Sequence, residues 1–165
     1  MMFSTIGESH MRYHKWATAQ IMDECLKLTA EQLVKDFKGS FGSIYDTAKH
    51  LYQADSIWLD RLEGRPTDNL ARYEAPGCTF ELRDAWAAVQ DKMLAFGAGL
   101  SETDWAGEIA YKTQAGGSFK SAIWQVVLHV VNHGTYHRGQ ITNMLRMTGV
   151  KAVNTDMIRF FRDSG

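Results

Sequence analysis

The sequence predicts an all-α protein, a four-helix bundle with a small β-hairpin ahead of its last long helix. Three observations point there. Four long segments repeat apolar residues at steps of three, four and seven, the period of a helix with one buried face. Both prolines, Pro66 and Pro76, fall in one segment, Gly64 to Cys78, which makes it the clearest loop in the chain. Glu108 to Lys112 alternates polar and apolar residues, and Gly116 and Gly117 follow, as in a hairpin.

The first helix is expected from about Ser9 to Leu28, with Tyr13, Trp16, Ala17, Ile21 and Leu28 as its apolar stripe. Thr29 and Gln32 then stand at capping-box spacing, which predicts a short extra turn. The second runs from about Ile44 to Glu63, capped by Ser43 with Asp46 in its first turn and stopped at Gly64. Its inner face is read as Ile44, Thr47, Leu51, Ala54, Trp58 and Leu62. The third runs from about Phe80 to Phe96, with Thr79 as cap, a stripe of Leu82, Trp86, Val89, Met93 and Phe96, and Gly97 and Gly99 at its end. The fourth is the longest, about Ala122 to Thr148, capped by Ser121 and stopped at Gly149. Gly134 and Gly139 lie inside it, where each costs roughly 1 kcal/mol relative to alanine. Close approach of a neighbouring helix is the simplest reason to keep them. The tail, Asp156 to Arg162, closes the chain as a short helix or strand.

At 165 residues and 45% apolar content, one domain spanning 1–165 can bury a continuous core. Lys and Arg number 18 against 19 Asp and Glu, and the two signs are interspersed, so no basic face suggests nucleic acid. Met1 to Gly7 is too short for a signal peptide and is followed by His10, Arg12, His14 and Lys15. The longest apolar run, Val126 to Val131, contains His129 and is too short to span a bilayer. With two cysteines and nothing that requires them to pair, the expected location is cytoplasmic, with no membrane partner.

The histidines carry the functional signal. His129, His133 and His137 fall at steps of four on the fourth helix, so they share one stripe. Side chains at that spacing have Cβ atoms about 5–6 Å apart, close enough for two imidazoles to converge on one metal ion. A third ligand has to come from another helix, and His50, in the middle of the second, is the natural donor. An isolated His-x-x-x-His pair also arises by chance on a surface. Against that stand the apolar character of this helix, its two glycines and the availability of His50. His129 reads either as a core histidine bonded to backbone or as support behind a ligand. His10 and His14 lie near a chain end, where histidines are commonly solvated, with His14 a candidate for lining the site. Arg138 reads as a carboxylate or phosphate binder or as a packing residue, and Tyr136 is equally ambiguous.

His129 to Gln140, HVVNHGTYHRGQ, resembles the signature of the DinB/YfiT-like metalloproteins. Phe41 to Gly64 resembles that family's second helix, which carries its first metal histidine, and YHKWA at Tyr13 to Ala17 resembles its first. The closing stretch Gly149 to Arg162, with Asp156, also fits, so the resemblance covers nearly the whole chain. It implies an up-down four-helix bundle, a single metal ion on His50, His133 and His137, zinc or nickel as that ion, and a homodimer. Characterised relatives include thiol S-transferases that use low-molecular-weight thiols and a thiol-dependent isomerase. Two departures are visible in the first helix: Thr18 follows Trp16-Ala17 where the family often has Asn, and His14 stands two residues before Trp16 where Asn is expected.

Three functions follow as expectations. The first is a metal-dependent thiol S-transferase or related detoxification enzyme acting on a small-molecule substrate. The second is a metal-dependent hydrolase, for which Asp46 is the available orienting carboxylate; no HExxH motif is present. The third is a non-enzymatic stress-response protein with a structural metal in a closed shell, completed by His14 or His129.

Overall fold

A computed structural model of the chain describes residues 2–151 and 153–163. The four long helices are α1 (Met2–Cys25), α3 (Ile44–Leu62), α4 (Thr79–Ala98) and α6 (Ile123–Met147). Short helices α2 (Ala30–Val34), α5 (Glu102–Ala106) and α7 (Met157–Asp163) flank them. Strands β1 (Glu108–Lys112) and β2 (Ser118–Ala122) form the antiparallel hairpin, with Glu108 opposite Ala122 and Lys112 opposite Ser118. The expected all-helical bundle with a hairpin before the last long helix is therefore the fold. Around the bundle, α1 packs on α4 and α6, and α3 packs on the same two. Helices α1 and α3 are thus diagonal, which the long connection through α2 permits.

Local chemistry explains most boundaries. Ser43 Oγ accepts from the Asp46 amide and caps α3, and Gly64 takes φ +69° beyond its end. The Thr29–Gln32 capping box is present and starts α2. Four details differ from expectation. Helix α1 begins at Met2, because Glu102 on α5 accepts the Phe3 and Ser4 amides at 2.7 and 3.2 Å and so caps it from a distance. Cys78, not Thr79, caps α4, its Sγ accepting from the Glu81 amide. Ser121 belongs to β2, with its hydroxyl against that of Tyr111; at the start of α6 the Gln125 side chain reaches back to accept the Ala122 amide at 3.0 Å. The buried face of α3 also turns by one position: Asp55 and Leu59 are buried, while Ala54 and Trp58 are half-buried.

The core has two apolar halves. Met11, Tyr13, Ala17, Leu59, Met93, Trp105 and Val131 belong to one. Ile21, Met22, Leu51, Trp86, Ile141 and Leu145 belong to the other. Between them each long helix contributes a buried polar residue: His14, Asp55, Gln90 and Arg138.

Candidate metal centre

Positions 50 on α3 and 133 and 137 on α6 face one another across the helix pair. His50, His133 and His137 each offer a ligand atom, and these atoms all lie within 4.8 Å of one another. The Nε2 atoms of His50 and His133 are 3.2 Å apart. Two nitrogens bound tetrahedrally at about 2.0–2.1 Å stand about 3.3 Å apart, so this spacing fits a shared ion. Two imidazole nitrogens at that distance cannot both be bare acceptors without a proton or a cation between them. The three rings meet edge to face, with centroids 4.5–5.1 Å apart.

The protonation states suit ligation. Burial, with His137 beside it, pushes the His50 pKa below the usual imidazole range. Burial and the surrounding imidazoles of His137, His50 and His129 push His133 down to about 4, against a smaller opposing pull from Asp55. Both are therefore neutral at neutral pH, with a lone pair to donate. His137 Nδ1 donates to Gln140 Oε1 at 2.8 Å, which fixes its tautomer and leaves Nε2 free. Phe41, from the segment before α3, stacks on His50 at 4.1 Å and meets the His137 ring edge at 5.4 Å, so it covers one side. Tyr136 is exposed and sets its ring against His137 at 4.9 Å, at the rim.

The other candidates divide. His129 is half-buried, stacked on His133 at 5.9 Å and edge-on to Trp58 at 5.2 Å. It makes no hydrogen bond among the described residues, to backbone or to the three imidazoles, so it is a wall of the site.

His14 and Arg138 lie in the buried polar layer instead. A guanidinium only donates, so Arg138 Nη1, 2.8 Å from His14 Nδ1, places the His14 proton on Nε2. Nε2 in turn donates to Asp55 Oδ2 at 2.8 Å. Trp86 Nε1 donates to the same oxygen at 2.6 Å, and Gln90 Nε2 lies 3.3 Å away. Both His14 nitrogens are committed, so this residue is neither a fourth ligand nor solvated, contrary to its expected place near a chain end. Arg138 is 2% exposed and is held by His14, Thr18 and Thr135, which favours its packing reading over the substrate-binding one. Asp46 is exposed and accepts from Ser43 Oγ at 2.6 Å, which ties it to the cap of α3. Cys25 is core, its thiol pushed up to about 12 by burial and by Glu24.

Sequence reasoning missed Asp55, Gln140 and Phe41. Asp55 left a signal, a carboxylate four residues from both Leu51 and Leu59, and so did Gln140, three residues after His137. Phe41 left none, because its role depends on how the α2–α3 connection folds back.

Residues 2–163 match the model of the DinB family. The chain belongs to the DinB family. It is 29% identical over 153 residues to Protein DinB of Bacillus subtilis (strain 168), covering 87% of each chain. The fold is similar to the crystal structure of a DinB-like protein from Bacillus cereus ATCC 10987, with a TM-score of 0.68 and 18% identity over 87% of this chain and 91% of that one. The imidazole cluster of this DinB-family chain is thus carried on a fold shared with a solved relative. Among the described residues no helix is long and apolar enough to cross a membrane.

Proposed function

We propose that this protein holds one divalent ion, zinc or nickel, on His50, His133 and His137 and transfers a low-molecular-weight thiol to an electrophilic small molecule. The observation that carries this reading is the convergence of three imidazoles with no fourth protein ligand among the described residues. Imidazole donors suit both metals. An ion bound by three protein ligands supplies a Lewis acid with an open position, where the ionised form of a thiol is favoured.

The chain's own residues do the rest. His50, His133 and His137 bind, Gln140 orients His137, and Phe41 shields the His50 ring from water. Tyr136 and Trp58 border the approach. The hydrolase reading lacks a base in the cluster, which contains no carboxylate among the described residues. A closed structural shell lacks its fourth ligand: both nitrogens of His14 are engaged elsewhere, and His129 is outside the group of converging ligand atoms. Homodimer assembly, which rests on the family resemblance, and a cytoplasmic setting, which rests on two cysteines that nothing requires to pair, belong to the same proposal.

The test is thioether formation from cysteine, glutathione or another small thiol with 1-chloro-2,4-dinitrobenzene. The C–S bond forms as chloride leaves and the thiol proton passes to solvent. Zinc- or nickel-loaded protein is expected to accelerate it, and chelation or His133→Ala to remove the acceleration. Full activity in metal-free His133→Ala protein would refute the proposal.

A further inference from the structure

A cleft of about 760 Å³ opens between the end of α3, the segment that follows it, and the hairpin. That volume falls in the range of small-molecule sites, about 300–1,000 Å³. Arg61, Tyr111, Lys112 and Phe119 are among its lining residues, as are Arg65 and Asp68.

Arg61 is unusually placed. Its guanidinium carbon lies 4.4 Å from the Trp58 ring centre and 5.2 Å from that of Tyr111. The two rings meet edge to face at 5.1 Å. The two ring centres and the guanidinium carbon form a near-equilateral triangle, so the aromatic rings cover one side of the guanidinium and leave its remaining N–H edge to a ligand. Nη2 donates to the Lys112 carbonyl at 2.8 Å, while Nε is buried with no partner. No carboxylate pairs with Arg61 among the described residues. Asp60 pairs with Arg65 and Arg72, and Glu63 with Arg65; Asp68, which also lines the cleft, forms no ion pair with Arg61. Lys112 likewise has no ion pair among the described residues. A half-buried cation without an anion is costly, and burial lowers the Arg61 pKa accordingly.

We infer that this cleft binds a small molecule bearing a carboxylate or phosphate, gripped at its oxygens by the edge of Arg61, with Tyr111 and Phe119 against its apolar part. Trp58 and His129 form a continuous wall from there to His133, in ring steps of 5.2 and 5.9 Å. The anion site stands whether or not the imidazole cluster holds a metal ion.

Calorimetric titration of the purified protein with succinate, inorganic phosphate and neutral succinamide tests this. At least one anion is expected to bind and succinamide not to; which anion binds identifies the source of the oxygens. Arg61→Gln should weaken that binding about tenfold or more, with unchanged metal content. His133→Ala should leave anion binding intact, which separates this site from the metal proposal. Should Arg61→Gln fail to fold, wild-type protein is treated with phenylglyoxal and mapped by mass spectrometry: the anion should slow modification of Arg61 and spare the rate at exposed Arg159. Binding of neither anion, equal binding by a folded Arg61→Gln variant, or an unaltered Arg61 modification rate would overturn the inference.

Discussion

Asp55 is 1% exposed, yet it is charged, and its environment explains how. Burial raises its pKa, but the His14 ring beside it and the Trp86 and Gln90 donors outweigh burial and hold the carboxyl below its usual range. His14 relays this charge to Arg138 through one neutral ring, so neither buried ion is isolated. Asp55→Ala should therefore destabilise the fold by about 3–5 kcal/mol, because it leaves buried donors and a buried guanidinium without their anion. Urea denaturation at neutral pH measures this. The pH dependence has a definite sign. A carboxyl whose folded pKa is depressed gives its full stabilisation above the unfolded value, about 3.9, and loses it as pH falls through the folded value. Wild-type stability should thus fall below about pH 4, and the fall should be shallower in Asp55→Asn. Parallel slopes in the two proteins would contradict this assignment.

At the scale of elements, α6 decides both packing and chemistry. A Cβ on Gly134 would collide with the His14 ring, so this glycine lets α1 approach, as its place in the sequence suggests. Gly139 has open space where its Cβ would be, and the same explanation fails for it. Gly134→Ala should cost about 1–3 kcal/mol through overpacking. Gly139→Ala should be neutral or stabilising by up to about 1 kcal/mol. Thermal unfolding of the two variants distinguishes them, and a destabilised Gly139→Ala would place a neighbour on that face. The contrast marks what a sequence can carry. The steps of four along α6 predicted that His133 and His137 share a face, because helical geometry is local. Ser43 and the Thr29–Gln32 box were legible for the same reason. The start of α1 and the one-position turn of α3 depend on Glu102 and on packing partners distant in sequence, where local rules are silent; the caps of α4 and α6 are local, but they rest on the Cys78 thiol and on Gln125 reaching back, weaker signals than the neighbouring Thr79 and Ser121 hydroxyls.

Across the whole molecule, the polar layer of His14, Asp55, Gln90 and Arg138 separates two apolar halves, with one member on each long helix. Such a layer stabilises little by itself but admits only the helix register in which every member is paired. The register brings His50 on α3 opposite His133 and His137 on α6, so the imidazole cluster sits beside the layer and inherits its order. The polar layer was not legible in the sequence because its members are ambiguous singly: His14 and Arg138 read as either site or non-site residues until Asp55 is seen between the helices. The imidazole cluster was legible because its donors lie on regular helices at regular spacing. Elemental analysis of the purified wild type, beside His50→Ala and His133→Ala, bears on all of this at once. One zinc or nickel ion per chain in the wild type, lost in both folded variants, is the expected result. A wild-type protein that takes up neither metal on reconstitution would contradict it and leave the three imidazoles as a packed cluster at the edge of the bundle.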